Sequence, residues 1–296
     1  MCLGQVNSNW RSAASIILAC TSTRRVLMLK RGETAKFMPN SMVFPGGVVD
    51  KSDVKLGDEF RIAAVRELFE ESGVLLTKKG WQTSANNPEM ASLKSEIVED
   101  SSKFQKISSL ITADNLIEWD TFLTPATNPR RFLTKFYVAF TEEEPAIDLC
   151  TSEMSDYAWV DPQQCVDEAY DGKYTLPPPQ VYELTRLAQV KAWDKDCEKY
   201  GNVKKILCPQ PVKTIGEDLI SNIFPGDHMY IKENVFNQPL RQLSADRIAV
   251  SPTLPTHRCT YQSKPMYARC RLYQHLLKPA DVADFHQIET HSKELL

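Results

Sequence analysis

Three glutamates in this sequence have a spacing that can hold a divalent cation. Glu67, Glu70 and Glu71 stand at positions i, i+3 and i+4, which places their carboxylates on one face of an α-helix, about one turn apart. Like charges at this spacing repel one another, so the arrangement costs stability unless a cation lies among them. Oxygen ligands on a rigid helix, with room for water and substrate phosphates, are typical of Mg²⁺ or Mn²⁺ sites.

A solvated helix face is the alternative interpretation, since glutamate is a good helix former and acidic runs are usually exposed. The flanking residues favour the metal site. A turn with Gly46 and Gly47 precedes the helix, Arg66 adjoins the first glutamate, and Gly73 is placed to end the helix. Gly46 and Gly47 also allow the backbone to approach a phosphate or an ion closely, and a carbonyl there can complete a metal shell.

The same helix must also pack against a sheet. Its other face carries apolar residues at helical spacing, and residues 74–76 after Gly73 are predicted to form a buried strand. One face of the helix is therefore predicted to lie in the hydrophobic core, and the other to form the metal site. The apolar positions are Ile62, Ala63, Val65, Leu68 and Phe69.

Residues 66–74 resemble the second half of the Nudix box, Gly-x5-Glu-x7-Arg-Glu-(aliphatic)-x-Glu-Glu-x-Gly-(aliphatic). In the first half, counting back from Arg66 places Asp58 at the early acidic position, and residues 51–57 look like an insertion. Such an insertion is similar to that of the coenzyme A and acyl-coenzyme A diphosphatases of the Nudix type 19 kind. The resemblance runs from about residue 13 to residue 192, through an Arg-Arg-Phe-x-Thr strand and a Leu-Pro-Pro-Pro-Gln segment.

The resemblance implies an α+β fold, a Nudix α/β/α sandwich with a mixed sheet over residues 1–200. Beyond it, the strand and helix patterns predict a C-terminal β/helical appendage over residues 201–296, packed on the main domain. A helical insertion is expected at about residues 77–125. The implied reaction is metal-dependent hydrolysis of the diphosphate bond of coenzyme A or acyl-coenzyme A, giving adenosine 3′,5′-bisphosphate and (acyl-)4′-phosphopantetheine. Two alternatives stay open: a diphosphatase of ADP-ribose or NADH-type nucleotides, and a catalytically silent Nudix scaffold that binds nucleotides or a protein.

The resemblance also implies roles for individual residues. Either Glu70 or Glu153, in the loop after the central strand, would take a proton from the attacking water, while Arg66 would orient the carboxylates. Asp58 would cap or brace the start of the helix. The expected Mg²⁺ or Mn²⁺ ligands are Glu67, Glu71, Glu70 and Gly47. The expected substrate contacts are Gly46, Arg31, Arg130 and Arg131.

Hydrophobic periodicity and turn residues predict the elements that position these groups. Strands are predicted over residues 13–19, 26–29, 130–140, 157–160, 203–212 and 229–231. Helices are predicted over residues 93–110, 114–122, 163–170, 181–193 and 266–296. Residues 177–179, three prolines, predict a rigid extended segment, and residues 224–227 a turn.

Composition limits the classes of partner. A net charge of −3 argues against nonspecific nucleic-acid binding, and no apolar run approaches the roughly 20 residues of a membrane span. Eight cysteines without Cys-x-x-Cys spacing predict reduced thiols in an intracellular protein. The five histidines have no ligand spacing and are predicted to lie on the surface. The sequence leaves the oligomeric state open.

The compartment also stays open. The resemblance implies a peroxisomal enzyme, but the chain ends His-Ser-Lys-Glu-Leu-Leu and not in Ser-Lys-Leu. The arginines near the start faintly resemble a mitochondrial presequence, although the strands predicted there argue against its removal. Mitochondrial and cytoplasmic locations are the alternatives.

Overall fold

The computed structural model describes residues 10–35, 38–201 and 206–277. Its core is a mixed sheet of eight strands, which include the two-residue strands β3 and β10. The strands of this sheet are β1 (Trp10–Cys20), β2 (Arg25–Arg31), β3 (Met42–Val43), β4 (Gly46–Val48), β7 (Ile117–Leu123), β8 (Arg131–Thr141), β9 (Met154–Val160) and β10 (Ile206–Leu207). Two further strands, β5 (Val74–Thr77) and β6 (Gly80–Thr83), pair as a hairpin.

Strand β1 is the centre of the sheet. It pairs in parallel with β8 along its whole length, from Trp10 opposite Arg131 to Cys20 opposite Thr141, and antiparallel with β2 and β4. Alternate β1 residues face opposite sides, so Ile16 joins one hydrophobic cluster and Ile17 the other. Both faces of the sheet are therefore covered, as the apolar sequences of β1 and β8 require.

Helices cover both faces. Helix α1 (Glu59–Ser72) packs on one face through the predicted apolar residues, together with α2 (Pro88–Glu99). The other face is covered by α3 (Pro162–Tyr170), α4 (Pro178–Gln189) and α5 (Trp193–Tyr200). The predicted α+β sandwich with a mixed sheet is confirmed. No described helix is long and apolar enough to cross a membrane.

Both ends of α1 are fixed by residues that the sequence identifies. The carboxylate of Asp58 accepts hydrogen bonds from the amides of Phe60 and Arg61, which confirms its predicted capping role. Gly73 adopts φ 73° and its amide donates to the carbonyl of Phe69, so it ends the helix as predicted. The glutamates consequently lie in the last two turns.

The segment after α1 differs from the prediction. It contains α2 and 3₁₀ turns at Ser84–Asn86 and Ser101–Ile107, but the helix predicted over residues 114–122 is wrong. Residues 117–123 form strand β7, which pairs antiparallel with β8 and parallel with β10. The free edge of β8 gives these β-branched and aromatic residues a partner, and this tertiary contact outweighs the local pattern.

Helix α4 begins three residues earlier than predicted. Pro178 and Pro179 occupy its first turn, where a proline lacks only an amide that has no helical partner. The extended segment predicted for residues 177–179 is therefore wrong beyond Pro177. The helix predicted over residues 181–193 is also interrupted, because α4 ends at Gln189 and α5 starts at Trp193.

A second sheet follows the core. Its strands are β11 (Gln210–Thr214), β12 (Leu219–Ile223), β13 (Arg241–Leu243), β14 (Thr256–Ser263) and β15 (Met266–His275), in the order β13-β11-β12-β14-β15, with a short helix α6 (Ala245–Ile248). The helix predicted from residue 266 is wrong, since residues 266–275 pair with β14; residues 278–296 lie outside the described residues.

The strand predicted over residues 229–231 is also wrong. The Gln210 side chain hydrogen-bonds both the amide and the carbonyl of Ile231 and so replaces a strand partner. Residues 224–227 form the predicted turn. Strand β10 shows that the main sheet takes an edge strand from beyond residue 200.

The second sheet shares a core with the first. The ring of Phe224 lies 6.2 Å from that of Phe122 and 5.0 Å from that of Tyr182, measured between centroids. His257 is buried beside these rings, with its Nδ1 2.6 Å from the carbonyl oxygen of Pro225. The prediction that all histidines lie on the surface is therefore wrong for His257. The described cysteines are free thiols.

Replacing Gly73 with alanine should lower the free energy of unfolding by about 3 kcal/mol, because a Cβ there combines a left-handed backbone with overpacking. That Cβ would stand 2.2 Å from the Ser84 hydroxyl and 2.8 Å from the Asp148 Cβ. Urea unfolding measures the change. Gly216→Ala is the matched control, since Gly216 has a similar φ of 81° but open space around it; it should cost about 1 kcal/mol. Equal losses would contradict the crowding at Gly73.

Candidate active site

Strand β4 passes directly over the acidic face of α1. A Cβ added to Gly47 would stand 2.5 Å from the carboxylate carbon of Glu67, so only glycine lets the backbone come this close. The amide of Gly46 donates to Oε2 of Glu71 at 2.9 Å. Gly46 itself lacks a side chain because β1 lies against it, with the carbonyl oxygen of Ala14 only 2.4 Å from the position of a Cβ.

Arg66 is buried at the centre of the site, and its guanidinium donates hydrogen bonds to four residues. Its Nη1 lies 2.9 Å from Oε1 of Glu67 and 3.2 Å from both carboxylate oxygens of Glu70. Its Nη2 also donates to the carbonyl of Val48 at 2.9 Å. The guanidinium thus contacts two of the carboxylates that it is predicted to orient.

The fourth partner of Arg66 is Asp53, which sequence analysis missed. Nε and Nη2 of Arg66 bind the two oxygens of this fully buried carboxylate at 2.9 and 3.0 Å. Asp58, the residue predicted for the early acidic position, instead caps the helix and lies 3.9 Å from Nε of Arg61. That prediction is wrong because the extra residues were placed before the acid.

The spacing itself held the signal for Asp53. Counting forward from Gly47 leaves five residues before Asp53, as the Gly-x5-Glu half of the pattern requires, with aspartate replacing glutamate. Twelve residues then separate Asp53 from Arg66 in place of seven, so the insertion follows the acid. The 3₁₀ turn Asp53–Lys55 begins this inserted stretch.

The glutamates of α1 destabilise one another's charged forms. Burial and the charge of Glu67 raise the pKa of Glu71 well above its usual value, and burial raises the pKa of Glu67. Burial also raises the pKa of Glu70 to about 7, against the opposing effect of Arg66. The charge of Glu153 contributes to the raised pKa of all three. The four carboxylates therefore share one electrostatic environment.

Two arginines predicted to contact substrate lie elsewhere. Arg131 begins β8 opposite Trp10, whereas Gly47 lies opposite Ala14, about 13 Å further along β1. The Arg131 guanidinium donates to the carbonyl of Thr124, just after β7, and to that of Phe236 in the 3₁₀ turn between β12 and β13. The structure does not bring Arg131, or Arg130 just before it, to the carboxylates.

Arg31, by contrast, lies close to the acidic cluster. It ends β2, and its charge partly opposes the rise in the pKa of Glu71. The amide of the next residue, Gly32, donates to the carbonyl of Glu153 at 3.0 Å. A cation is thus placed beside the site on the side of the Glu153 loop.

The donor set fits a hard divalent cation. Crowded carboxylates with raised pKa values would be stabilised by a cation, and Gly47 lets the backbone of β4 lie directly against the Glu67 carboxylate. Within the described ranges, no three His, Cys, Asp or Glu side chains converge as a ready-formed metal site. The oxygens of Glu67 and Glu70 instead meet Arg66, and Glu71 meets the Gly46 amide.

Comparisons with known proteins give consistent matches. The NUDIX domain profile matches residues 9–101, and the NUDT19 Nudix domain profile matches residues 57–187. The chain is 76% identical, over the full length of both proteins, to a Caenorhabditis elegans protein named "Putative nudix hydrolase 7". It is 27% identical to human "Acyl-coenzyme A diphosphatase NUDT19", covering 79% of this chain and 84% of the human protein.

A solved structure supports the fold. The crystal structure of a NUDIX hydrolase from Alicyclobacillus acidocaldarius superposes with a TM-score of 0.57 at 21% sequence identity. The match covers 64% of this chain and 96% of the bacterial protein. About a third of this chain therefore has no counterpart in the superposed bacterial structure.

Asp53→Asn should lower the free energy of unfolding by about 3 kcal/mol, because it removes one charge of a buried ion pair. Urea unfolding measures the loss. The control is Asp58→Asn, which should cost less than about 1 kcal/mol because asparagine caps a helix nearly as well as aspartate. If Asp58→Asn were the more damaging change, the assignment of Asp53 would be wrong.

The metal-free protein should lose stability as the pH rises from about 4.5 to about 7. The pKa of Glu70 is about 7 in the folded protein and 4.5 ordinarily, so between these values the folded state binds the proton that the unfolded chain releases. Stability is therefore present at low pH and lost as Glu70 ionises. Thermal unfolding in chelator across this range measures the slope. Glu70→Gln should reduce the slope, while Glu67 and Glu71, whose pKa values are also raised, keep the remainder; an unchanged slope would exclude a contribution from Glu70.

Proposed function

This chain belongs to the Nudix hydrolase family, and from that premise we propose that it hydrolyses the diphosphate bond of coenzyme A or an acyl-coenzyme A. The products would be adenosine 3′,5′-bisphosphate and (acyl-)4′-phosphopantetheine. The observation that carries the proposal is the match of the NUDT19 Nudix domain to residues 57–187, which include every α1 glutamate and Glu153. Human and Xenopus laevis proteins named acyl-coenzyme A diphosphatase also align over most of their lengths.

A divalent cation, Mg²⁺ or Mn²⁺, is part of the proposal. Glu67, Glu71 and Glu70, with the carbonyl of Gly47, would hold it. When bound, such an ion offsets the negative charge that develops on the diphosphate oxygens as water attacks. Arg66 keeps two of these carboxylates in place through its hydrogen bonds, and Asp53 fixes Arg66 in turn.

Glu153 is the base that we favour for the attacking water. Both oxygens of Glu70 already accept hydrogen bonds from Arg66, which holds that carboxylate on the helix. The Glu153 side chain is exposed to solvent, and its charge contributes to the raised pKa of Glu67, Glu70 and Glu71. It can therefore reach a water molecule close to the ion site without breaking an existing ion pair.

Arg31 would contact the diphosphate. Its position beside Glu71 places a fixed positive charge where the substrate carries negative charge. Gly47 lets the backbone of strand β4 lie against the Glu67 carboxylate, which fills the place that a Cβ there would take, and so brings the proposed carbonyl ligand close to that carboxylate. Arg130 and Arg131 carry no part of the proposed chemistry, given their distance from the carboxylates.

Purified protein with Mg²⁺ should release adenosine 3′,5′-bisphosphate from coenzyme A and from a medium-chain acyl-coenzyme A, measured by chromatography. ADP-ribose and NADH should be cleaved far more slowly. Cleavage of ADP-ribose or NADH alone would keep the reaction type and discard the substrate. No cleavage of any of these nucleotides would favour a binding scaffold without activity.

Two glutamate variants complete this experiment. Glu71→Gln should abolish turnover, because it removes a buried carboxylate at the centre of the ion site. It should also remove the thermal stabilisation that Mg²⁺ or Mn²⁺ gives the wild-type protein. Glu96→Gln is the matched control, since Glu96 lies on the surface of α2 and pairs with Lys103 and Lys106 in the 3₁₀ turn that follows. Retained turnover in Glu71→Gln would overturn the ion assignment.

A further inference from the structure

A buried lysine connects the inserted helix α2 to the loop that carries Glu153. Lys94 is only 5% exposed, although lysine is almost never buried without a partner. Its ammonium group donates to the carbonyl of Asp148 and lies 3.3 Å from Oδ2 of the same residue. The Ser84 hydroxyl donates to that Oδ2 at 2.7 Å. Asp148 is therefore held by two groups from the segment that follows α1.

Residues 148–154, which we call the strap, are fixed to the end of α1. The amide of Asp148 donates to the carbonyl of Ser72, and the amide of Cys150 donates to the carbonyl of Glu71, both at 2.9 Å. Gly73 permits this approach, since a Cβ there would meet Asp148. The strap thus begins against the two residues that end the acidic helix.

The strap then presents Glu153. The amides of Glu153 and Met154 both donate to the carbonyl of Cys150, at 3.1 and 2.9 Å, and Gly32 binds the carbonyl of Glu153. Met154 is buried and opens β9. The backbone on either side of Glu153 is consequently fixed, and the position of its carboxylate depends on where Asp148 anchors the strap.

We propose that Lys94 is a positioning residue for Glu153, a role that rests on the hydrolysis proposed above. Lys94 cancels the charge of the Asp148 carboxylate, which is about one-third exposed, and thereby keeps the start of the strap against α1. Without this cation, the carboxylate gains by turning to water, because a charge away from water is costly unless it is paired. The strap would then shift, and Glu153 with it.

The test uses Lys94→Met, which keeps the length of the side chain and removes its charge. We expect kcat to fall by about 10- to 100-fold with little change in KM, as a small misplacement of a reacting group produces. Hydrogen exchange of the strap amides should accelerate while β11 and β12 keep their protection. Asp148→Asn, which leaves the backbone contacts possible, should give the same pattern. It replaces Lys94→Met in the test if that variant folds poorly.

A double-mutant cycle separates positioning from simple destabilisation. If Lys94 acts through Glu153, adding Lys94→Met to Glu153→Gln should lower the residual kcat by less than about twofold. Lys106→Met is the matched control, because Lys106 is exposed and pairs with Glu96 in the same segment. It should leave kcat and the exchange of the strap unchanged.

Distinct outcomes overturn the inference and the function. Normal kcat in both Lys94→Met and Asp148→Asn would overturn the role of Lys94 and leave the hydrolysis intact. The role of Lys94 would also be overturned if Lys94→Met lowered kcat in full in the Glu153→Gln background. Hydrogen exchange that accelerates uniformly along the chain would overturn it as well. A wild-type protein that cleaves none of the nucleotides would instead overturn the proposed function, whatever the exchange measurement shows.

Discussion

The buried ion pair between Arg66 and Asp53 is the interaction on which the site depends. Three glutamates on one helix face repel one another, and a buried arginine without a partner is costly. Here Nε and Nη2 of the guanidinium donate to the Asp53 carboxylate, and Nη1 donates to Glu67 and Glu70. Nη2 also donates to the carbonyl of Val48. One cation thereby joins the inserted loop, the acidic helix and strand β4.

Helix α1 both anchors itself on the sheet and carries the acidic cluster, because one of its faces is apolar and the other is acidic. The apolar face packs on β1 and β8 and fixes the helix on the sheet, while the acidic face meets β4 and the end of the helix meets the strap. Glycines at both contacts keep the backbones close: Gly47 over Glu67, and Gly73 beside Ser84 and Asp148. The spacing between carboxylates is thus set by rigid elements and not by flexible loops, which suits a site that must bind an ion.

The two segments added to the sandwich have different relations to the site. The one after α1 contributes Ser84 and Lys94 to the strap and so reaches the acidic cluster through Asp148. The C-terminal sheet packs on the opposite face, where Phe224 and His257 meet Tyr182 of α4. Arg131 connects β8 to the 3₁₀ turn at Phe236, between β12 and β13, through a hydrogen bond to the carbonyl of that residue.

The sequence by itself determined α1 and the placing of its carboxylates on one face. Apolar spacing, the Asp58 cap and the Gly73 stop are local features, and local features decide where a helix begins, ends and turns its carboxylates. Strands β1, β2 and β8 were equally readable, because buried central strands are strongly apolar over many residues. The resemblance of residues 66–74 to the Nudix box was also enough to place the chain in its family.

Only the tertiary structure decided which partners the other residues find. Residues 117–123 and 266–275 became strands because neighbouring edges were available to pair with them. Asp53, and not Asp58, binds Arg66 because the inserted loop folds back on α1. His257 and Lys94 are buried by elements distant in sequence. Local pattern contains no information about such contacts, since their free energy comes from residues that only the folded chain brings together.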